Sequence, residues 1–253
     1  DNVRAFRVDG PFDACQALVK EAFQDAELNR RARLTSANSI NLGRLLPQMV
    51  YYALTSIEVF RESGAPPSFI VPTGNLGNAL ACVWARRAGL PIGDIVLATN
   101  RNRTISDFFS TGMWDPRSSV TTLASAMDVG NPSNMERLRD LYAHGDLESE
   151  FFARAVGDEE IRSQIRRDYE RFGQIWCPHT ATAFRVYDEL DGARRSAAHW
   201  VCVATAHPAK FEEIVEPLIG VEIPLPDSLA EILSLPTAHT DIPADLEALR
   251  SYF

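Results

Sequence analysis

Lysine is nearly missing from this chain. Its 253 residues contain two, Lys20 and Lys210, so almost all of the positive charge sits on arginine. Acidic residues outnumber basic ones, 34 to 25, and the net charge is −9. No basic run interleaves with aromatics, which argues against nucleic acid as a partner. No apolar run approaches the roughly 20 residues that a membrane helix needs, which argues against a spanning segment. Cysteine is sparse and scattered: Cys15, Cys82, Cys177 and Cys202 form no CxxC pair and have no neighbouring pair of histidines. That pattern fits neither a disulfide framework nor a zinc site, and no metal is expected. It fits reduced, buried thiols in a cytoplasmic protein. No basic segment followed by an apolar one opens the chain, so no signal peptide is read. An initiator methionine is lacking too, and a strand-like pattern, Val3 to Val8, begins almost at once. The expectation is that these residues are the remainder of a longer polypeptide.

What is present is enough apolar residue, 45% of the chain, for one large or two modest domains. The most informative stretch runs from Val71 to Asn78, reading Val-Pro-Thr-Gly-Asn-Leu-Gly-Asn. A short apolar run, Phe69 to Val71, precedes it and a helical pattern from Ala79 to Ala88 follows. Strand, glycine-rich turn and helix start make an anion cradle, because Gly74 and Gly77 admit close backbone approach and free amides point outward. The same turn also serves as a tight strand-to-helix connection that binds nothing. It is not a P-loop, since no Gly-Lys-Ser/Thr follows, and the glycine spacing is wrong for a dinucleotide fingerprint.

Around it, Phe12, Cys15, Leu18, Val19, Ala22 and Phe23 recur at helical spacing, with Lys20 on the polar side. Leu34 to Asn41 follows, with five short polar side chains in eight residues, then an apolar helix from about Ile40 to Phe60. One helix needs one cap, so Ser36, Asn38, Ser39 and Asn41 either cap redundantly or face a polar ligand. Arg44, one turn into that helix, is placed for a phosphate or carboxylate contact. Asp94 to Thr99 reads as a second strand, and strand–helix–strand at this spacing implies a parallel βαβ unit. Ligands gather beyond the carboxyl ends of such strands, where Thr73–Asn75 and Thr99–Asn100 fall. Ser119 to Leu123 is a possible strand. Residues 134–173 read as mainly helical and charged. Cys177 to Thr182 opens another helix with Pro178 in its first turn. Trp200 to Thr205 is a buried strand.

Four segments together resemble threonine synthases of the longer bacterial and fungal branch: Leu34–Asn41, Pro72–Asn78, Cys177–Thr182 and Thr205–Phe211. Thr99–Asn100, Ala126–Asp128 and Asn134–Arg137 fit the same order, and the likeness runs from about Val3 to at least Val215. It implies a pyridoxal-phosphate (PLP) enzyme of the tryptophan-synthase-β-like class, PLP fold type II. The fold class expected is α/β, a parallel sheet flanked by helices. The reaction implied is conversion of O-phospho-L-homoserine and water to L-threonine and phosphate. On that resemblance Gly74, Asn75, Leu76, Gly77 and Asn78 hold the cofactor phosphate through backbone amides. Thr205 then sets its hydroxyl against the pyridine nitrogen, a neutral partner that leaves the ring largely unprotonated. Asn38, Ser39, Asn41 and Arg44 line the substrate side.

His179, Thr180 and His207 belong to family-like motifs but receive no chemical role, capping or packing being the plainer reading. His144, His199 and His239 have no context beyond surface or core. Leu76 stands where the family often has Phe, a minor change in a loop that binds by backbone. Lysine is the serious departure. The chemistry needs a lysine that bonds to the cofactor and shuttles protons at Cα and Cβ, and neither Lys20 nor Lys210 sits in the family's context for it. The expectation is therefore a C-terminal portion, inactive alone. Residues 1–60 would be the end of the small domain and its crossing helix, and residues 61–253 the large cofactor-binding domain. A phospholyase that eliminates phosphate without making threonine, and a non-catalytic PLP- or phosphate-binding module, are the alternatives.

Overall fold

The computed structural model describes residues 3–143, 145 and 147–253; His144 lies outside them. The chain forms two compact units, Asp1–Ser36 with Pro224–Phe253, and Ala37–Ile223. Residue 60 falls within a helix of the second unit, so the compact units do not divide there.

The first unit opens with strand β1 (Phe6–Asp9) and helices α1 (Phe12–Gln24) and α2 (Ala26–Ala32). Asp25 caps α2 by accepting the Leu28 N–H at 2.7 Å.

The second unit starts at α3 (Leu42–Leu45), where the Asn41 side chain accepts the Gly43 N–H at 2.8 Å. The single helix expected from Ile40 to Phe60 is broken. A 3₁₀ turn, Leu46–Gln48, separates α3 from α4 (Met49–Ser63). Pro47 is the cause, since it has no N–H and its ring clashes with the preceding turn. Strand β2 (Ser68–Pro72), helix α5 (Gly77–Arg87) and strand β3 (Ile95–Thr99) then form the expected βαβ unit. Helices α6 (Thr104–Thr111), α7 (Met135–Leu141) and α8 (Leu147–Glu150) lead to β4 (Phe152–Ala155). After it come α9 (Asp158–Phe172), α10 (Pro178–Glu189), α11 (Gly192–Ser196), β5 (Trp200–Cys202) and α12 (Glu212–Ile219).

The first unit is completed by α13 (Asp227–Leu233), β6 (Thr240–Pro243) and α14 (Leu246–Arg250). There β6 pairs in parallel with β1, and Arg250 forms an ion pair with Asp25.

The sheet of the second unit is fully parallel, in the order β4–β3–β2–β5. Every residue of β2 and β3 is buried, as in strands covered on both faces. Helix α5 buries seven of its residues, among them Leu80, Cys82 and Val83, and Tyr52 meets Phe69 edge-to-face at 5.3 Å. On its other side α4 leaves Val50 and Leu54 exposed.

Two further expectations are amended locally. Ser119–Leu123 forms no strand; side chains hold it instead, Asn102 accepting the Val120 N–H at 2.8 Å and Asp128 the Thr122 N–H at 3.0 Å. The helical stretch at 134–173 is interrupted by β4, an edge strand whose Phe152 is exposed and whose mixed composition gives little apolar signal. The strand order carries a further consequence. From β2 the chain moves to β3 and β4 on one side, while β5 lies on the other. A crevice opens at such a reversal, beyond the carboxyl ends of β2 and β5.

Candidate functional site

A cleft of about 1020 Å³ lies at that reversal. Its walls come from the turn after β2, the end of β5 with the residues following it, residues 37–39 and 126–127, and the first helical turns that carry Arg44 and His179. Of the residues singled out from sequence, Asn38, Ser39, Arg44, Gly74, Asn75, Gly77, Asn78 and Thr205 line it. Leu76 and Asn41 are not among the lining residues. The Leu76 side chain is fully buried beneath the turn, and the Asn41 carboxamide caps α3.

The turn is locked by its own side chains. Thr73 donates its hydroxyl to Asn78 Oδ1 at 2.8 Å, while the Asn78 amide donates to the Pro72 carbonyl at 2.8 Å. Leu76 takes a left-handed conformation, φ 61°, unusual for a leucine and sustained here by its complete burial. Gly74 is required for a packing reason: a Cβ there would lie 2.6 Å from the Met127 Cα. Gly77 likewise sits against Leu45 and Ser39.

This conformation has an electrostatic result. Among the described residues, no acceptor pairs with the backbone amides of Gly74, Asn75, Leu76, Gly77 or Asn78. These amides surround the start of an 11-residue helix. Unpaired N–H groups at the positive end of a helix dipole suit a phosphate.

Asn75 ties the turn to its surroundings. Its amide donates to the Ser39 hydroxyl at 2.6 Å, and its Oδ1 accepts the Ser133 N–H at 2.7 Å. Asn134, fully buried, donates to the carbonyls of Asn75 at 2.9 Å and Ser39 at 3.2 Å. Asn100, at the end of β3, does not reach the cleft. It donates to Thr122 and to Asp128 at 2.8 and 2.7 Å, fixing the stretch that presses Met127 onto Gly74.

Sequence reasoning gave no role to the group under Thr205. That hydroxyl lies 3.3 Å from Thr180 Oγ1 and 3.6 Å from Cys177 Sγ, and those two atoms are 3.2 Å apart. Cys177 caps α10, accepting the Thr180 N–H at 3.4 Å. Burial pushes its thiol up. The His179 imidazole, the Thr180 hydroxyl and amide and the Thr205 hydroxyl outweigh that and bring it down to about 6. His179 Nε2 accepts the Ala126 N–H at 3.0 Å, so in the neutral ring the proton is on Nδ1. Nδ1 is buried and makes no aligned hydrogen bond. The signal available in sequence was the cluster Cys177–Pro–His–Thr180 at a helix start, which pattern alone could assign only to capping.

A family model described as pyridoxal-phosphate dependent enzyme matches residues 2–206. The chain belongs to this family of pyridoxal-phosphate dependent enzymes. A second model, threonine synthase C-terminal, matches residues 180–253 of this PLP-family chain. Among similar proteins, the threonine synthases of Escherichia coli K12 and Serratia marcescens are 39% and 38% identical, over 98% and 99% of this chain. The crystal structure of threonine synthase from E. coli superposes with a TM-score of 0.91 at 38% identity, covering 100% of this chain and 58% of that one. That of PLP-bound threonine synthase from Brucella melitensis gives 0.84 at 32%, covering 99% and 59%. The chain thus spans about three-fifths (58%) of the length of the curated relatives it matches. The α/β architecture read from sequence is that of the family's fold type II members.

Proposed function

We propose that the protein is a PLP-dependent threonine synthase, converting O-phospho-L-homoserine and water to L-threonine and phosphate. The observation that carries the reading is the run of acceptor-free amides from Gly74 to Asn78, set at a helix start in the same cleft that Thr205 enters. The donor set fits the cofactor: amides and a helix dipole for its phosphate, a neutral hydroxyl for its ring nitrogen. When bound, the cofactor supplies an electron sink for chemistry at the substrate Cα and Cβ.

This chain's own residues bind and orient. Gly74–Asn78 hold the phosphate without a cation. The Thr205 hydroxyl offers its proton to the ring nitrogen, where an aspartate would protonate it. Arg44, the cationic residue among those lining the cleft, supplies the counter-charge for the substrate phosphate or carboxylate. Asn38 and Ser39 supply neutral polar contacts beside it, and Ser39 is held in place by Asn75.

Neither lysine takes part. Lys20 is in α1 of the first unit, and Lys210 is exposed in the 3₁₀ turn Pro208–Phe211, with neither among the lining residues. We place the cofactor-bonding lysine outside these 253 residues, in the part of the relatives' length that the chain does not span. Ala37–Ile223 is then the cofactor-binding part of the whole protein, and its unpaired cysteines suit a reducing cytoplasmic setting.

The test uses the protein as its source makes it. PLP is added, the adduct is reduced with borohydride, and the tagged lysine is mapped by peptide mass. The expected tag is on neither Lys20 nor Lys210, with phosphate and threonine released in equal amounts from O-phospho-L-homoserine. A tag on Lys20 or Lys210 overturns the reading of the site. Phosphate release with 2-oxobutanoate in place of threonine makes the protein a phospholyase, and absence of any tag leaves a binding module.

A further inference from the structure

Beneath the cleft, three side chains meet in a closed triangle of which one corner, Thr205, is exposed. Thr180 and Cys177 are each 1% exposed. The Thr205 backbone N–H donates to Thr180 Oγ1 at 3.1 Å, so the Thr180 oxygen already accepts and its own proton must go to sulfur or to Thr205. The protons in the triangle then decide what Thr205 can offer. With a thiol at Cys177, three hydrogens fill three contacts. Sulfur donates to Thr205, Thr205 to Thr180, Thr180 to sulfur, and only oxygen lone pairs face the cleft. With a thiolate there are two hydrogens and sulfur is a pure acceptor. The Thr180 O–H at 3.2 Å and N–H at 3.4 Å hold it more closely than the Thr205 hydroxyl at 3.6 Å, so the Thr205 proton is the one free to turn from sulfur to an acceptor in the cleft.

We infer that Cys177 and Thr180 are positioning residues that aim the Thr205 O–H into the cleft, at the ring nitrogen of the bound cofactor. The inference rests on the cofactor reading above. It assigns a task to two residues that the cofactor does not touch, and it gives the site a proton-counting device. The low-lying Cys177 thiol supports it, since the acceptor form then prevails near neutrality. His179 is the titratable neighbour that acts on Cys177. Cys202, on β5, is pushed up by burial and by Asp168, and so remains a thiol.

Two measurements on the whole protein test this. The first needs no cofactor: the ultraviolet absorbance of the thiolate is followed against pH in the wild type, with Cys177→Ser subtracted. The expected midpoint is about 6. Thr180→Val raises it by about one pH unit, because a charge-assisted donor is lost, and Thr180→Ser restores it. A wild-type midpoint in the ordinary thiol range overturns the inference.

The second measurement binds PLP isotopically labelled at the pyridine nitrogen and follows that nitrogen by NMR. Above the midpoint it should resonate as an unprotonated, hydrogen-bonded nitrogen, changing with the Cys177 midpoint. Cys177→Ser, whose hydroxyl donates at every pH, should resemble the low-pH wild type throughout. Thr180→Val should lose the hydrogen-bonded signal and Thr180→Ser recover it. A nitrogen signal identical in wild type, Cys177→Ser and Thr180→Val overturns the inference. A signal from free cofactor alone refutes the proposed function instead, and the thiolate titration then decides the triangle by itself.

Discussion

Gly74→Ala is the sharpest perturbation of this site, because its effect follows from distances rather than from chemistry. The added methyl would stand 2.6 Å from Met127 Cα, 2.9 Å from Met127 O and 3.0 Å from Met127 C. All three are backbone atoms, so no rotamer change relieves the contact. Met127 is itself restrained, because the Asp128 side chain accepts from Asn100 and Thr122. Overpacking costs ~1–3 kcal/mol, and a clash with restrained backbone belongs at the upper end, about 3 kcal/mol. For a protein of this size that lowers Tm by roughly 6–12 °C. Thermal unfolding followed by circular dichroism reads the loss, and Gly192→Ala is the control. Nothing lies within 4 Å of a Cβ at Gly192, which opens α11, so alanine there should stabilise by up to ~1 kcal/mol. The same displacement spreads the amide cradle, so the Gly74 variant should bind inorganic phosphate and PLP more weakly while Gly192→Ala binds normally. A Gly74→Ala protein within ~0.5 kcal/mol of wild type, with unchanged phosphate binding, would refute both the packing argument and the role of the turn.

Three further outcomes are expected. Asn134→Ala strips the carbonyls of Asn75 and Ser39 of a buried donor; the cost should be ~2–4 kcal/mol in urea unfolding, with Asn134→Asp at least as harmful because it sets acceptors against acceptors. Asp128→Ala strips the Thr122 N–H and O–H of their acceptor and takes one of several from the Asn100 and Asn102 amides; a loss of about 3 kcal/mol and new protease cleavage near residues 119–124 should follow. For Cys177 the folded-state pKa is depressed from 9.0 to about 6, so its stabilisation is complete above pH 9 and vanishes as pH falls through 6. The stability difference between wild type and Cys177→Ser should therefore climb between those limits, and a flat difference would contradict the assignment.

The parts of the fold legible in sequence were those with strong local patterns. Phe69–Val71 and Asp94–Thr99 are continuous apolar runs, and a parallel strand buried on both faces cannot hide. The helix from Ile40 was misread as unbroken because its apolar spacing continues through Pro47, and spacing carries no information about a missing N–H. Strand β4 escaped because an edge strand with one exposed face has little reason to be apolar. At the site, the Gly74–Asn78 backbone was readable from glycine placement. Asn134 and Asp128 were not, since their partners lie far away in sequence and a buried asparagine looks like a loop asparagine. The Cys177–Thr180–Thr205 triangle was the least legible, joining two segments 25 positions apart that meet only because α10 packs against β2 and β5.

The bonds that hold the turn after β2 join positions 36, 58 and 95 apart: Asn75 to Ser39, Ser133 to Asn75, Asn134 to Ser39. Loop-closure entropy rises with such separations, and contacts of this kind form after local structure. On the ribosome the amide cradle lacks its Ser133 and Asn134 braces until residue 134 has cleared the exit tunnel, well after α5 has been made. Firm capture of an anion then waits for those braces, and a nascent chain arrested before that point would hold a finished helix with an unfinished grip.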